Sequence, residues 1–218
     1  MNENYIQISN RSKEKILSNI ISPKLDIITT QDPSIHLIQN DDDLSDMIQK
    51  MKANKCQVNE CNKKDITQQI QTIIKKYNVS KLLYPQNIKE LVSIDELKIS
   101  SSVCFNQQIE EIKKDVFDSD FSIINAAFGV SSHGIICTHS DINARLLSLA
   151  TPLCIILLDK KNITKSLNTG LDMLDKQYEN KTLPSNIVFL AGPSCTADIE
   201  LTPVFGVHGS QYIEIILY

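Results

Sequence analysis

No stretch of the chain is apolar for the eighteen or so residues that a membrane-spanning helix requires. The longest apolar run, PLCIILL at Pro152–Leu158, has strand length. The start, MNENYIQISNRSKEKILSNI, lacks the basic end and unbroken apolar stretch of a secretory signal, so the expected compartment is the cytoplasm and the expected state soluble. A basic surplus is missing too. With 22 Lys and Arg against 26 Asp and Glu the net charge is −4, and the dispersed cations offer no stripe to a phosphate backbone. Nucleic acid and membrane insertion are therefore not expected. Six cysteines are present without a single Cys-x-x-Cys, and several lie in apolar runs such as SVCF, GIICT and PLCII. They read as buried, reduced thiols, and no iron–sulfur cluster is expected in this chain itself. Only four histidines occur. His133, His139 and His208 raise a metal or general-base reading, but no compact His, Cys and carboxylate spacing of a known metal type accompanies them, so no metal is expected. A Gly-x-Ser-x-Gly elbow is likewise absent.

What is present is an alternation. The chain of 218 residues suits one α/β domain over residues 31–218, preceded by an N-terminal helical arm over residues 1–30. The arm carries Ile16, Leu17, Ile20 and Ile21 on one side of a helix spanning Ser9–Ile21, which stops before Pro23. From Ser34 onward, IHLI, CQVN, VSKLLY and SSVCF read as strands. DDDLSDMIQKMKANK, NKKDITQQIQTIIKKY, QNIKELVS and QIEEIKKDVF read as the helical segments between them, with Asn62 and Asp65 spaced as a capping box. Beyond Asp120 two β-like segments, FSIINAAFGV and GIICTH, are too close together for a helix and are expected to be antiparallel neighbours or one bent strand. NARLLSL then reads as a short helix, PLCIILL as a central strand, NITKSLNTGLDMLDKQY as a helix, and NIVFLAG and YIEIILY as closing strands. This is the pattern of a sheet covered by helices on both faces.

Chemistry concentrates in two places. Gly192, Pro193, Ser194, Cys195 and Thr196 follow a strand and precede ADIELTPVFGV, which reads as the start of a short helix. A strand feeding a helix N-terminus through small residues aims N–H groups and hydroxyls at an anion. The same residues also serve as an ordinary cap, with Asp198 and Glu200 complementing the helix dipole. The second place is SSHG followed by THSDINARLLSL. There Arg145 stands in an apolar segment, suited to a ligand carboxylate or phosphate or to an internal partner among Asp141, Asp198 and Glu200.

These segments together resemble a known family. GPSCTADIELTPVFGVHGS before YIEIILY is similar to the closing signature of the lactate-utilisation protein C family (LutC/YkgG, LUD domain). AAFGVSSHGI and ARLLSLATPLCIILL are similar to its second conserved stretch. The resemblance implies a three-layer α/β/α sandwich of the NagB/RpiA/CoA-transferase-like group. It also implies oxidation of L-lactate to pyruvate alongside two iron–sulfur partners, LutA-like and LutB-like, which carry the clusters. Carried over by motif position, the ligand or anion candidates are Gly134, Arg145, Gly192, Ser194, Thr196, Asp198, Glu200 and His208, with Ser132 and His133 beside them; no catalytic residue is assigned. The departures fall in the same pocket. Ser132 and His133 stand where the family has Glu-Thr, Cys195 where it has Arg or Lys, and Ser210 where it has Pro. They change the pocket's charge and proton chemistry. Two alternatives stay open at this point, namely a stand-alone binder or enzyme for a small phosphorylated or acyl-CoA ligand, and a non-catalytic scaffold subunit.

Overall fold

The run LCIILL is buried on both sides, which only a central strand of a covered parallel sheet allows. In the computed structural model, which describes residues 13–15, 17–18, 43–106, 109–197 and 203–218, this run is β7 (Leu153–Leu158). Its alternate residues divide between two cores. Leu153, Ile155 and Leu157 face one cluster, and Cys154, Ile156 and Leu158 face the other, as the two-residue period of a strand requires. β7 lies between β4 (Phe121–Asn125) and β12 (Tyr212–Leu217) in a six-stranded parallel sheet. The sheet is completed by β1 (Gln57–Glu60) beside β12, and by β2 (Lys81–Tyr84) and β3 (Ser101–Cys104) beyond β4.

One face is covered by α2 (Ile66–Tyr77) and the 3₁₀ turns Gln86–Glu90 and Ile94–Glu96, the other by α1 (Asp43–Ala53), α3 (Ile109–Phe117) and the 3₁₀ turn Arg145–Ser148. The result is the expected mixed α/β fold with a parallel central sheet between covering layers. Helix α2 shows how the sequence enforces it. Ile66, Ile70, Ile73 and Ile74 recur at helical spacing and are buried, and Asn78, left-handed at φ 52°, ends the helix with its N–H on Ile74 and Lys75 carbonyls. The anticipated capping box does not form. Asn62 donates through Nδ2 to the Asp65 carboxylate at 3.2 Å instead of capping the backbone, and the helix enters through a 3₁₀ turn, Lys63–Asp65.

FSIINAAFGV is divided between two sheets. Ala126 N–H still bonds to Leu157 O of β7, while the next residue, Ala127, bonds to Cys137 O at 2.8 Å. The chain thereby leaves the main sheet for a four-stranded one. There β5 (Phe128–Val130) pairs antiparallel with β6 (Ile135–His139), flanked by β8 (Ile163–Thr164) and β9 (Ile187–Leu190). The helix expected from Asn162 begins later. Ile163 and Thr164 are taken by β8, and α4 (Leu167–Gln177) starts at the cap Ser166, whose Oγ accepts from Thr169 N–H at 3.2 Å. Gly170 lets α4 lie flush on Phe128, since a Cβ there would sit 2.2 Å from the ring.

Chain contacts separate Met1–Leu37 from Ile38–Tyr218. In the first unit the described residues are helical, with Ser18 Oγ donating to Lys15 O at 2.9 Å; the arm's remaining residues and the expected strand IHLI lie outside the described residues. Among the described residues no helix is long and apolar enough to cross a membrane.

Candidate functional site

Two sequence-distant motif segments meet at the C-terminal end of α1. The turn Ser131–Gly134 between β5 and β6 is held to α1 by three side chains. Ser131 Oγ donates to Asp43 Oδ1 at 2.9 Å, Lys50 Nζ donates to Ser132 O at 2.6 Å, and Asn54 Nδ2 donates to the carbonyls of His133 and Gly134 at 3.2 and 3.1 Å. Gly134 has φ 61°, and a Cβ would press on Lys50 and the Met51 backbone at 2.7–2.8 Å. Gly192 approaches the same helix end from the other motif. Its φ is 146°, and a Cβ would lie 2.3 Å from Asn54 O. Both glycines thus have a packing role independent of any ligand.

From Gly192 the chain runs into a third motif segment. Ser194 N–H bonds to Ser210 O, Ser194 O accepts from Gly206 N–H, and Ser194 Oγ accepts from His208 N–H at 3.3 Å. Ser210, which is buried, donates to Thr151 O at 2.8 Å. Residues Gly206–Gly209 and Leu149–Pro152 border a depression of about 340 Å³ at the amino ends of β7 and β12, with His208 as its titratable lining residue among the described ones.

The helix anticipated after Gly-Pro-Ser does not form in the described residues. Cys195–Ala197 is β10, paired antiparallel with β11 (Pro203–Phe205) in register Cys195↔Phe205 and Thr196↔Val204. Pro203 breaks helical continuity and Gly206, at φ 84°, ends the hairpin, so a two-stranded ribbon is the local solution. Among the described residues no helix start follows Gly-Pro-Ser to aim a dipole at an anion, and Cys195 is an exposed strand residue, neither a helix-start thiol nor a core filler. Asp198 and Glu200 lie outside the described residues. Thr196 is exposed.

Arg145 is exposed on its 3₁₀ turn, and no described carboxylate lies within ion-pair distance. The pairing with Asp141 is not formed. Asp141 instead accepts from Tyr178 Oη at 2.6 Å, which pushes the tyrosine up to about 12. Arg145 stands one 3₁₀ turn before Ser148, whose carbonyl accepts from Ser210 Oγ at 3.4 Å. Ser132 Oγ and His133 Nδ1 are 2.8 Å apart, with Ser132 buried and His133 exposed. No described carboxylate hydrogen-bonds to His133, so the pair lacks the third, orienting member of a nucleophilic triad among the described residues.

His139, unlike His133 and His208, is buried at the end of β6, edge-to-face with Tyr178 at 5.8 Å. Burial lowers its pKa below the ordinary 6.5, with Asp141 opposing. Cys56, Cys137 and Cys154 are buried and their thiols pushed up to about 12, chiefly by desolvation, so their expected role as small hydrophobes holds. Lys50 and Asn54, which tie the motifs together, escape sequence reading because they belong to a different segment, Lys50 on α1 and Asn54 in the turn after it. The only signal was their place at the polar end of DDDLSDMIQKMKANK.

Comparison with known proteins places the chain in a family. An uncharacterized protein of Neisseria meningitidis serogroup B is 29% identical over 52% of this chain and 49% of its own length. Lactate utilization protein C 1 of Bacillus mycoides is 25% identical over 70% of this chain and 69% of its own. The chain thus spans about half the length of the first relative and just over two thirds of the second. The crystal structure of a DUF162 family protein from Deinococcus radiodurans superposes with a TM-score of 0.60 at 14% identity, covering 80% of this chain and 95% of that one, which establishes the shared fold. Residues 44–218, from the first turn of α1 to the last residue of the chain, match the LUD domain, and the chain belongs to the LUD domain family.

Proposed function

We propose that this protein is a LutC-like subunit for L-lactate utilisation, acting with LutA-like and LutB-like iron–sulfur partners that carry the electrons. The observation that carries the reading is the convergence of Ser131–Gly134, Gly192–Ser194 and Gly206–Ser210 around the end of α1 and the amino ends of β7 and β12, beside a cavity of about 340 Å³. Segments scattered over the sequence signature are tied into one cluster by these bonds and close contacts, which is what a shared ligand or partner site needs. A relative named lactate utilization protein C 1 supports the metabolic context. In this reading Arg145 pairs with the lactate carboxylate, because its guanidinium is exposed and has no described carboxylate partner. Ser194 and Thr196 donate hydrogen bonds, and Asp198 orients the loop.

Two measurements test this. Affinity purification from the native cell is expected to bring down two iron–sulfur proteins, and their absence would remove the proposed complex. Arg145→Ala is expected to abolish lactate-dependent growth while leaving circular dichroism and melting unchanged, because an exposed side chain contributes little to the core. Undiminished growth would strip Arg145 of its role. A scaffold reading is favoured by a single observation, the lack of the family's Glu and Arg/Lys at Ser132 and Cys195. It predicts normal growth when Arg145, Thr196 and Asp198 are all replaced.

A further inference from the structure

Each of the two main sheets ends in open edge strands, and the edges differ. In the six-stranded sheet β1 carries Glu60, ion-paired to Lys160 at 3.1 Å, and β3 exposes Ser101 and Ser102. In the four-stranded sheet β8 has only two residues. Charge and shortness keep an edge from pairing with another chain. Strand β9 has neither. Its four residues, Ile187, Val188, Phe189 and Leu190, are all apolar; Phe189 is 39% exposed and the other three are half-buried. The stretch from Thr182 to Ala197 contains no Asp, Glu, Lys or Arg. An apolar edge with no charge or proline within it is a template for one more strand.

The pairing of β9 with β6 fixes which backbone groups face outward. Ser140 N–H donates to Asn186 O at 2.9 Å, so these two residues form a hydrogen-bonded pair. Such pairs alternate along an antiparallel ladder. Val188 and Leu190 therefore turn their N–H and C=O toward Thr138 and Ile136, while Ile187 and Phe189 turn theirs away from the sheet. No hydrogen bond from a described residue reaches these four outward groups. They are two donors and two acceptors placed symmetrically about Val188. A second β9 laid antiparallel, with its Val188 opposite this one, sets Ile187 against Phe189 of the copy and Phe189 against its Ile187. Both are hydrogen-bonded positions, so four bonds satisfy all the outward groups of the two strands' facing edges. The side chains agree with this register. Ile187 and Phe189 share the face on which Phe189 meets Phe128 edge-to-face at 6.3 Å, and the pairing makes two aromatic–β-branched cross-strand contacts there. The occupant that fits this edge is the same strand: a two-fold axis generates antiparallel self-pairing, and uncharged flanks bring no like charges together.

We propose that the free edge of β9 is an interface for a second copy of this chain, joined antiparallel about a two-fold axis at Val188 so that the two four-stranded sheets become one of eight strands. The signature turns that follow β9 then leave the seam in opposite directions, because the paired strands run antiparallel. The interface does not depend on the lactate reading, and neither fails with the other.

Gel filtration with light scattering on the full chain tests it. At micromolar concentration the purified protein is expected to have twice the 24.5 kDa mass of the chain. Phe189→Pro deletes an N–H that faces outward, so the ladder with β6 loses no bond while the symmetric seam loses two. The dimer's dissociation constant is expected to rise about five- to hundredfold, the size of two hydrogen bonds. Val188→Cys, made with Cys195→Ser to remove the exposed thiol, is expected to form a disulfide between copies under mild oxidation. Directly opposed residues of a non-hydrogen-bonded pair stand about 4.5 Å apart at Cα, within disulfide reach. A monomeric mass, a dimer that Phe189→Pro leaves unchanged, or no cross-link at position 188 would each overturn the proposal. If Phe189→Pro does not fold, Phe189→Lys takes its place: it sets two ammonium groups diagonally across the seam, and the dimer is expected to be lost.

Discussion

Replacing Gly192 by alanine separates packing from ligand contact at the centre of the signature. The backbone there has φ 146°, which L-residues avoid, and an added Cβ would stand 2.3 Å from the carbonyl oxygen of Asn54, a main-chain atom in the turn that ends α1. Forcing a side chain into such a conformation costs about 1–3 kcal/mol, and overpacking against backbone that cannot swing aside adds about 1–3 kcal/mol. The sum of about 2–6 kcal/mol is a large part of a domain's typical stability of about 5–15 kcal/mol. It corresponds to a melting temperature lower by roughly 5–20 °C for a chain of this size. Urea titration followed by far-ultraviolet circular dichroism measures it, with Gly209→Ala as control. There the new Cβ meets Ser194 Cβ at 3.2 Å and Leu149 Cδ2 at 3.4 Å, and the loss is expected to stay under about 1 kcal/mol. If Gly192→Ala melts within a degree or two of the parent while lactate growth is lost, the packing explanation is wrong and the glycine is held for a ligand.

Two further outcomes follow from burial. Under native conditions a thiol reagent read by mass spectrometry is expected to label Cys195 first, whereas Cys56, Cys137 and Cys154 react only after denaturation, because desolvation holds them as thiols with pKa near 12; rapid native labelling of Cys154 would contradict the central position of β7. Stability is also expected to fall as pH drops below 6.5. His139 is kept neutral in the folded state by burial, so the unfolded chain binds more protons between its pKa of 6.5 and the lower folded value. His139→Gln is expected to flatten this part of the stability–pH curve, and an unchanged slope would assign it to other groups.

The alternation of strands and helices was legible because each element carries its own period. The isoleucines of α2 repeat as a helix does, and PLCIILL is too short and too uniformly apolar to be anything but a central strand. Misreadings arose where local and tertiary demands compete. Ile163–Thr164 has β-branched residues within a polar, helix-like segment, and the edge of β5 captured it. ADIELTPVFGV reads as a helix from its acidic start, but pairing of Pro203–Phe205 with Cys195–Ala197 makes its described part a strand. Asp141 and Arg145 are four residues apart and of opposite charge, yet Tyr178 from the end of α4 takes the carboxylate.

By itself the sequence determined the α/β class, the buried strands, the burial of three of the six thiols (Cys56, Cys137 and Cys154, but not Cys61, Cys104 or Cys195) and the family signature, since these depend on composition, periodicity and short motifs that each segment carries alone. The tertiary structure decided that Asn54 and Lys50 hold two distant motifs together, and that Gly134 and Gly192 are demanded by a neighbouring helix end. The physical reason is that a hydrogen bond or a close contact belongs to two segments at once, and their meeting depends on the order in which strands join the sheet.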